Sequence, residues 1–228
     1  TSGSEILLTG QKTFVMDAMA SELIIASTLI DGEPRLVCIQ TKSVPTDQIV
    51  REVVIDDTRR CYRVNLDGVT IPAASVLPID CFKEIENAAL LLISAEMSGG
   101  IAATLNEIIE YLNTRKQFER YIGSYQALKH PAVDILLGSE EARSLLYHAA
   151  TIFETGSDTE VEIAVRMLKA SASEHFAFAG DRAVQFHGGF GFTFECNAQL
   201  FLRRAMWCQY SFGDEKHQRQ KLAPLLLD

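Results

Sequence analysis

Three short stretches carry the side chains best suited to chemistry. TRKQF at 114–118 sets Arg115 beside Lys116 and Phe118 at the end of a helical pattern. A guanidinium offers a rigid fork of donors that suits a phosphate. It equally suits a helix C-terminus, where partial negative charge favours cations, and the residues alone leave both readings open. GSYQALKH at 123–130 puts Gln126 and His130 one helical turn apart, a spacing that serves a ligand or a partly buried polar face alike. QFHGGFGFTFE at 185–195 sets three glycines among four phenylalanines. Such a loop can be a bare helix cap, or its amides at Gly188 and Gly189 can receive a pyrophosphate.

Other chemistries lack their constellations. No GxGxxG, GxxxxGK or GxSxG motif occurs, which weakens dinucleotide-fold, nucleoside-triphosphate and hydrolase readings. The five histidines show no HExxH pattern, and the five cysteines no CxxC, so no metal site is expected. An odd set of unspaced cysteines reads as free thiols in a reducing, intracellular location. A net charge of −9 offers no basic footprint for nucleic acid. No apolar run approaches the roughly 20 residues of a membrane helix. The opening TSGSEILLTG lacks the regions of a signal peptide and reads as starting within a fold.

The positioning elements divide into two halves. Up to about residue 78 come short runs rich in β-formers, EILLTG, KTFVMD, ELIIASTLI, RLVCIQ, VREVVI and YRVNLDGVTIP, separated by glycine, proline and Asp-Gly turns. That pattern predicts an antiparallel barrel or sandwich over 1–79, with Asp67-Gly68 as the best hairpin or turn candidate. From 80 to 228 the period lengthens to between three and four. Ile93, Met97, Ile101, Leu105, Ile108 and Leu112 mark one helix face, and Val161, Val165, Leu168, Ala172, Phe176, Ala179, Ala183 and Phe186 another. With helices near 125–153, disturbed at Pro131, and 196–211, these predict an up-down four-helix bundle in an α+β chain.

Taken together, RKQF, IGSYQALKH, AVQFHGGFGFTFE and LRRA followed by a glycine and a final basic helix resemble the C-terminal domain of the acyl-CoA dehydrogenase flavoproteins. LLTGQKTFVMDAMASELIIAS and DTRRCYRVNLDGVTIPAASVL are similar to that family's middle β-domain. The resemblance covers essentially the whole chain and implies a family fold whose N-terminal helical domain is absent here, as in a fragment or a short subunit. It implies FAD bound across a subunit interface. Arg115, Phe118, Tyr125 and Gln126 would contact the diphosphate side. Gln185, Phe186, His187, Gly188 and Gly189 would form the loop under it, with Phe190, Phe192 and Phe194 packing the turn into the next helix. Phe14 falls where a tryptophan usually meets the flavin, and Met16 where a hydroxyl residue usually bonds its edge.

The implied reaction is α,β-desaturation of an acyl-CoA, with a carboxylate base taking the α-proton and the β-hydrogen leaving as hydride. The family's glutamate precedes the glycine equivalent to Gly213, where this chain has Phe212. The alternative family position, on the first bundle helix, falls at Ala89, next to Leu90. Glu84, Glu86, Glu96, Asp214 and Glu215 lie near these positions but out of register, so no catalytic residue is assigned. Leu90 and Ser211, replacing an arginine and an aromatic, suggest an altered acyl site. Two expectations follow: an FAD-dependent acyl-CoA dehydrogenase, or a non-catalytic subunit completing the flavin interface of a heteromeric one. Partners would be an acyl-CoA, same-family subunits as homodimer, tetramer or heterotetramer, and electron-transfer flavoprotein as acceptor, with no nucleic acid or membrane. The expected location is the cytoplasm, or the mitochondrial matrix in a eukaryote.

Overall fold

A computed structural model of the chain describes residues 5–79 and 81–227. It falls into two compact units, Thr1–Ile85 and Glu86–Asp228. Strands of the first are β1 (Glu5–Leu7), β2 (Gln11–Met16), β3 (Leu23–Ile30), β4 (Glu33–Gln40), β5 (Ile49–Glu52), β6 (Cys61–Asn65), β7 (Thr70–Pro72) and β8 (Val76–Leu77). Every pairing among them is antiparallel: β1 with β7, β6 between β2 and β5, and β4 between β3 and β8. Alternation sets the core. In β3, Ile24 and Ala26 turn inward while Leu23, Ile25 and Leu29 face out. The inward residues join Val37, Ile39, Val64 and Ile71 in one cluster.

One sequence expectation is narrowed here and another changes. The two-residue hairpin is Asp31-Gly32, where Ile30 pairs with Glu33 and both turn residues have positive φ, 53° and 82°. That is the mirror-image turn that matches strand twist. Asp67-Gly68 makes a turn without a hairpin, because β6 and β7 on either side of it pair with different strands. The VREVVI run also stops short: β5 ends at Glu52, and Val53 is 98% exposed.

The second unit follows from α1 (Cys81–Thr114), a short hairpin of β9 (Lys116–Gln117) and β10 (Arg120–Tyr121), then α2 (Gln126–Thr155), α3 (Asp158–His187), α4 (Ala198–Tyr210) and α5 (Glu215–Leu227). The four expected helices are α1 to α4, and the basic C-terminal segment adds α5. By length and composition α1 is apolar enough to cross a membrane, contrary to the expectation that no run approaches this. One face of it is buried: Leu90, Ile93, Met97, Ile101, Leu105, Ile108 and Leu112 lie in the bundle core, while Leu92 and Ile109 on the same helix are exposed.

The α3 stripe predicted from spacing is likewise buried at every position, from Val161 to Phe186. Its start is fixed by a capping box, in which the Glu160 carboxylate accepts from the Ser157 amide at 2.8 Å. Those hydrogen bonds hold the Glu160 carboxyl below its ordinary range. Gly100 lets α1 approach α3: a Cβ there would stand 2.8 Å from two ring carbons of the fully buried Phe176. Pro131 does not interrupt α2. It lies in the second turn, where its missing N–H leaves one carbonyl unpaired near an open helix end.

Candidate functional site

The end of α1 and the hairpin after it hold the first candidate group. Arg115 is the first residue beyond α1. Its amide donates to the Tyr111 carbonyl and its carbonyl accepts from the Ile122 amide, each at 2.9 Å. Its backbone is thus fixed while its side chain is exposed. The hairpin pairs Gln117 with Arg120 across Phe118 and Glu119, both left-handed. Phe118, at the tip, is 86% exposed. Tyr125 caps α2, with its hydroxyl 3.3 Å from the Gln117 carbonyl as donor. Gln126, which opens α2, is exposed, as is His130.

The second group sits at the end of α3. Gln185, Phe186 and His187 form the last helical turn, where a loop was expected. Phe186 and His187 are buried, and Gln185 faces out. The His187 ring stacks on Tyr111 at 4.0 Å, and its Nδ1 lies 2.7 Å from the Ala183 carbonyl. This stack carries the geometry of the site. It holds the C-terminal ends of α1 and α3 together, so Arg115, one turn past Tyr111, and Gly188, next to His187, emerge at one end of the bundle. The Gly188 amide caps the helix by donating to the Gln185 carbonyl, so it is not the free amide the sequence suggested. Gly188 and Gly189 are exposed, with open space where a Cβ would stand.

The phenylalanines that follow do not pack the turn as expected. Phe190, Phe192 and Phe194 are 47%, 72% and 83% exposed. Cys196 and Ala198 fill the inward positions instead, while the Arg203 guanidinium lies 5.8 Å from the Phe194 ring centre.

In the β unit, Phe14 occupies a bulge where the β2–β6 register shifts. Its φ is 54°, its ring is 63% exposed, and its amide donates to Glu52 Oε2 at 3.3 Å. The bulge re-aims this one side chain out of the strand's alternation. Met16 pairs with Cys61 across the sheet and is 43% exposed. Burial pushes the Cys61 thiol up.

The third group is the α4–α5 junction. Ser211, Phe212, Gly213 and Asp214 form the link, with Phe212 at φ 58° and Gly213 at φ 91°. Among the described residues, four of the five carboxylates near the positions of interest have partners. Glu96 is ion-paired with Arg204, and Glu86 with Arg166 at 3.2 Å. Asp214 caps α5 by accepting from the His217 amide at 2.9 Å, and Glu215 accepts from Gln209 Nε2 at 3.0 Å. Glu84 is exposed in the first turn of α1, Ala89 is half-buried, and Leu90 is buried.

Beneath the junction lies a polar cluster that periodicity did not reveal. Lys169, fully buried, donates to Ser173 Oγ at 2.9 Å, the Gly213 carbonyl at 3.0 Å and the Gln209 carbonyl at 3.1 Å. Gln218, also fully buried, donates through Nε2 to the Phe212 carbonyl at 2.6 Å and accepts from Arg166 at 2.8 Å. Burial lowers the Lys169 ammonium to about 8, against partial support from Cys208, Glu215 and Asp214. One sequence signal was available: Arg166 and Lys169 stand next to the stripe residues Val165 and Leu168. A helix buried on most sides draws such neighbours inward.

Residues 87–227 match the model of the family described as acyl-CoA dehydrogenase, C-terminal domain. The chain is 33% identical over 168 residues to acyl-CoA dehydrogenase IpdE2 of Mycolicibacterium smegmatis, covering 74% of this chain and 50% of that protein. Among solved structures it is similar to a glutaryl-coenzyme A dehydrogenase in complex with glutaryl-CoA, with TM-score 0.91, 22% identity, and 99% and 60% of the two chains covered. It is also similar to the ChsE4–ChsE5 complex from Mycobacterium tuberculosis, with TM-score 0.88, 20% identity, and 100% and 62% covered. These two likenesses concern fold. The chain spans about half the length of the curated relatives it matches.

Proposed function

The chain belongs to the acyl-CoA dehydrogenase family, and from that premise we propose that it builds part of an FAD site in a heteromeric acyl-CoA dehydrogenase whose proton-abstracting base lies on another subunit. The observation that carries this reading is the α4–α5 junction. By the resemblance the family's base position holds Phe212, and of the carboxylates considered in its place Glu96 and Glu86 are ion-paired, Asp214 caps α5 and Glu215 accepts from Gln209. A phenyl ring accepts no proton, so this junction supplies shape and not acid–base chemistry.

The bundle end fits a flavin diphosphate. Arg115 and Gln126 are exposed there, and Gly188 and Gly189 leave the backbone open to close approach. In this reading Arg115 holds the diphosphate charge and Gln126, Tyr125 and Gln185 supply polar contacts. Phe118 covers the cofactor, while Phe14 is, by the resemblance alone, the β unit's own aromatic for a flavin. Phe186 and His187 act indirectly, by fixing the end of α3 against Tyr111. Met16 offers no donor. What FAD supplies when bound is acceptance of a hydride. What the chain supplies is binding, orientation and exclusion of water. The ChsE4–ChsE5 complex gives the fold a two-component precedent.

The competing reading is a self-sufficient FAD-dependent dehydrogenase. The visible spectrum of the full-length protein, alone and mixed with a co-encoded homologue, separates the two. The proposal expects stable yellow flavin only with the homologue, and anaerobic bleaching by an acyl-CoA only in the mixture. Bleaching by the protein alone would refute it. Absence of flavin from both preparations would refute both readings.

A further inference from the structure

Arg115 and the open backbone at Gly188 and Gly189 come from different helices, so what joins those helices at their ends sets the distance between them. The Arg115 amide is tied to the Tyr111 carbonyl on α1, and Gly188 follows directly on His187, the last residue of α3. The Tyr111 and His187 rings stack at 4.0 Å with 27° between their planes. His187 is buried, and its Nδ1 faces the Ala183 carbonyl at 2.7 Å. A carbonyl only accepts, so that nitrogen carries the hydrogen and the bond fixes the ring's orientation.

The row of rings continues into the loop. Phe190 lies 6.5 Å from the His187 ring, tilted at 42°, within the range at which aromatic pairs attract. The loop folds back on the turn it leaves: Gly191 is buried, and its amide donates to the Gly188 carbonyl at 2.9 Å. A Cβ at Gly191 would collide with the Val184 carbonyl and stand 2.9 Å from His187 Cβ, so only glycine permits this approach. The Phe190 carbonyl accepts from the Thr193 amide at 3.0 Å. Tyr111, His187 and Phe190 thus run from α1, across the end of α3, to the glycine loop.

This row lies at the rim of the bundle. Tyr111 is half-buried and Phe190 is 47% exposed, whereas Ile108, Leu112, Ala183 and Phe186 beside them fill the core. Rings partly in water contribute less to folding than core side chains do, yet these three connect the elements that carry the site.

We propose that Tyr111 is a positioning residue of the cofactor site: through His187 and Phe190 it locks the glycine loop to the end of α1, so that Arg115 and the Gly188–Gly189 backbone meet a diphosphate as one preformed surface. This rests on the flavin reading above and adds to it a residue that acts without touching the cofactor. A loop that must be ordered on binding lowers affinity by the fraction of time it is out of place. Loosening the row therefore weakens FAD and leaves the bundle folded.

The test uses the assembly of the full-length protein with its homologue, stripped of flavin and titrated with FAD. Affinity is read from quenching of flavin fluorescence, and stability from urea midpoints. Tyr111→Leu, which keeps apolar bulk and removes the ring, should weaken FAD about tenfold while its midpoint stays near the parent's. Tyr111→Phe, which keeps the stack, should bind as the parent does. Phe190→Ala should show a smaller loss, about threefold. Parent-like affinity in Tyr111→Leu would overturn the proposal, as would a loss that comes only with a collapsed midpoint. So would an equal loss in Tyr111→Phe, which would trace the effect to the hydroxyl. Should Tyr111→Leu fail to fold, Phe190→Ala decides in its place, because that ring is half in solvent, and unchanged affinity there would overturn the proposal. A parent assembly that takes up no FAD would sink the functional reading before any variant is compared.

Discussion

Replacing Lys169 with methionine tests whether the link between α4 and α5 is held by a buried ammonium. The side chain is fully buried, and burial brings its titration from the ordinary 10.5 down to about 8. The sign follows from proton counting. Below about pH 8 the folded and unfolded chains both carry this proton, and above 10.5 neither does. Between those values the unfolded chain keeps a proton that the folded chain has released, so stability rises with pH through the window. A gap of that size corresponds to roughly 3 kcal/mol, approached at about 1.4 kcal/mol per pH unit. Methionine, of similar length and without charge, removes this contribution.

The assay is urea unfolding followed by helical circular dichroism, for parent and Lys169→Met, at intervals from pH 7.5 to 10.5. Other groups titrate there too, including the raised Cys61 thiol, but they are common to both proteins and cancel in the difference. The difference in unfolding free energy, parent minus variant, should climb by about 3 kcal/mol across the window. Parallel curves would mean that Lys169 titrates at its ordinary value, hence in contact with water and not buried beneath the link.

Two further predictions concern backbone and packing. At position 212 the usual order of alanine over glycine should reverse: with φ at 58°, Phe212→Gly should be more stable than Phe212→Ala by about 1 kcal/mol. Thermal unfolding measures this, and an alanine variant as stable as the glycine one would show that the left-handed conformation is not kept. The adjacent glycines of α1 should respond with opposite signs. Gly99→Ala enters open space and should stabilise by about 0.5–1 kcal/mol through helix propensity. Gly100→Ala drives a methyl into the buried Phe176 ring and should destabilise by about 1–3 kcal/mol. Urea midpoints of the two variants decide, and a shift in the same direction for both would refute the close α1–α3 approach.

The sequence was most legible where one physical rule acted alone. The stripes of α1 and α3 are buried at every predicted position because a helix against a core admits only apolar residues at its repeat. The antiparallel sheets were readable from alternation and turn spacing for the same reason. Reading failed where two rules competed. Asp31-Gly32 and Asp67-Gly68 have the same chemistry, and only the pairing of distant strands makes one a hairpin and the other a corner. Phe190, Phe192 and Phe194 are apolar yet exposed, because the chain leaves α3 on the outside of the bundle and brings Cys196 and Ala198 inward.

The candidate site divides along the same line. Arg115, Gln126, Gly188 and Gly189 are ordinary types for the helix ends they occupy, and only their joint resemblance to a family pattern singles them out. His187 looked like one of them, yet its ring is committed to Tyr111. A sequence cannot tell a histidine that meets a ligand from one that joins two helices 76 residues apart in number (187 minus 111). Lys169, Arg166 and Gln218 were hard to read for a deeper reason, the first and second being marked only by their neighbours in the α3 stripe. Each breaks the rule that a buried face is apolar, and each relies on partners 40 to 80 positions away to help complete its hydrogen bonds. Such groups are costly to bury unless paired, so their convergence beneath one four-residue link shows where the fold demands rigidity. Phe212 sits on that link. The same scaffold that could hold a base in place holds a phenyl ring, and the geometry of position 212 is therefore separable from its chemistry.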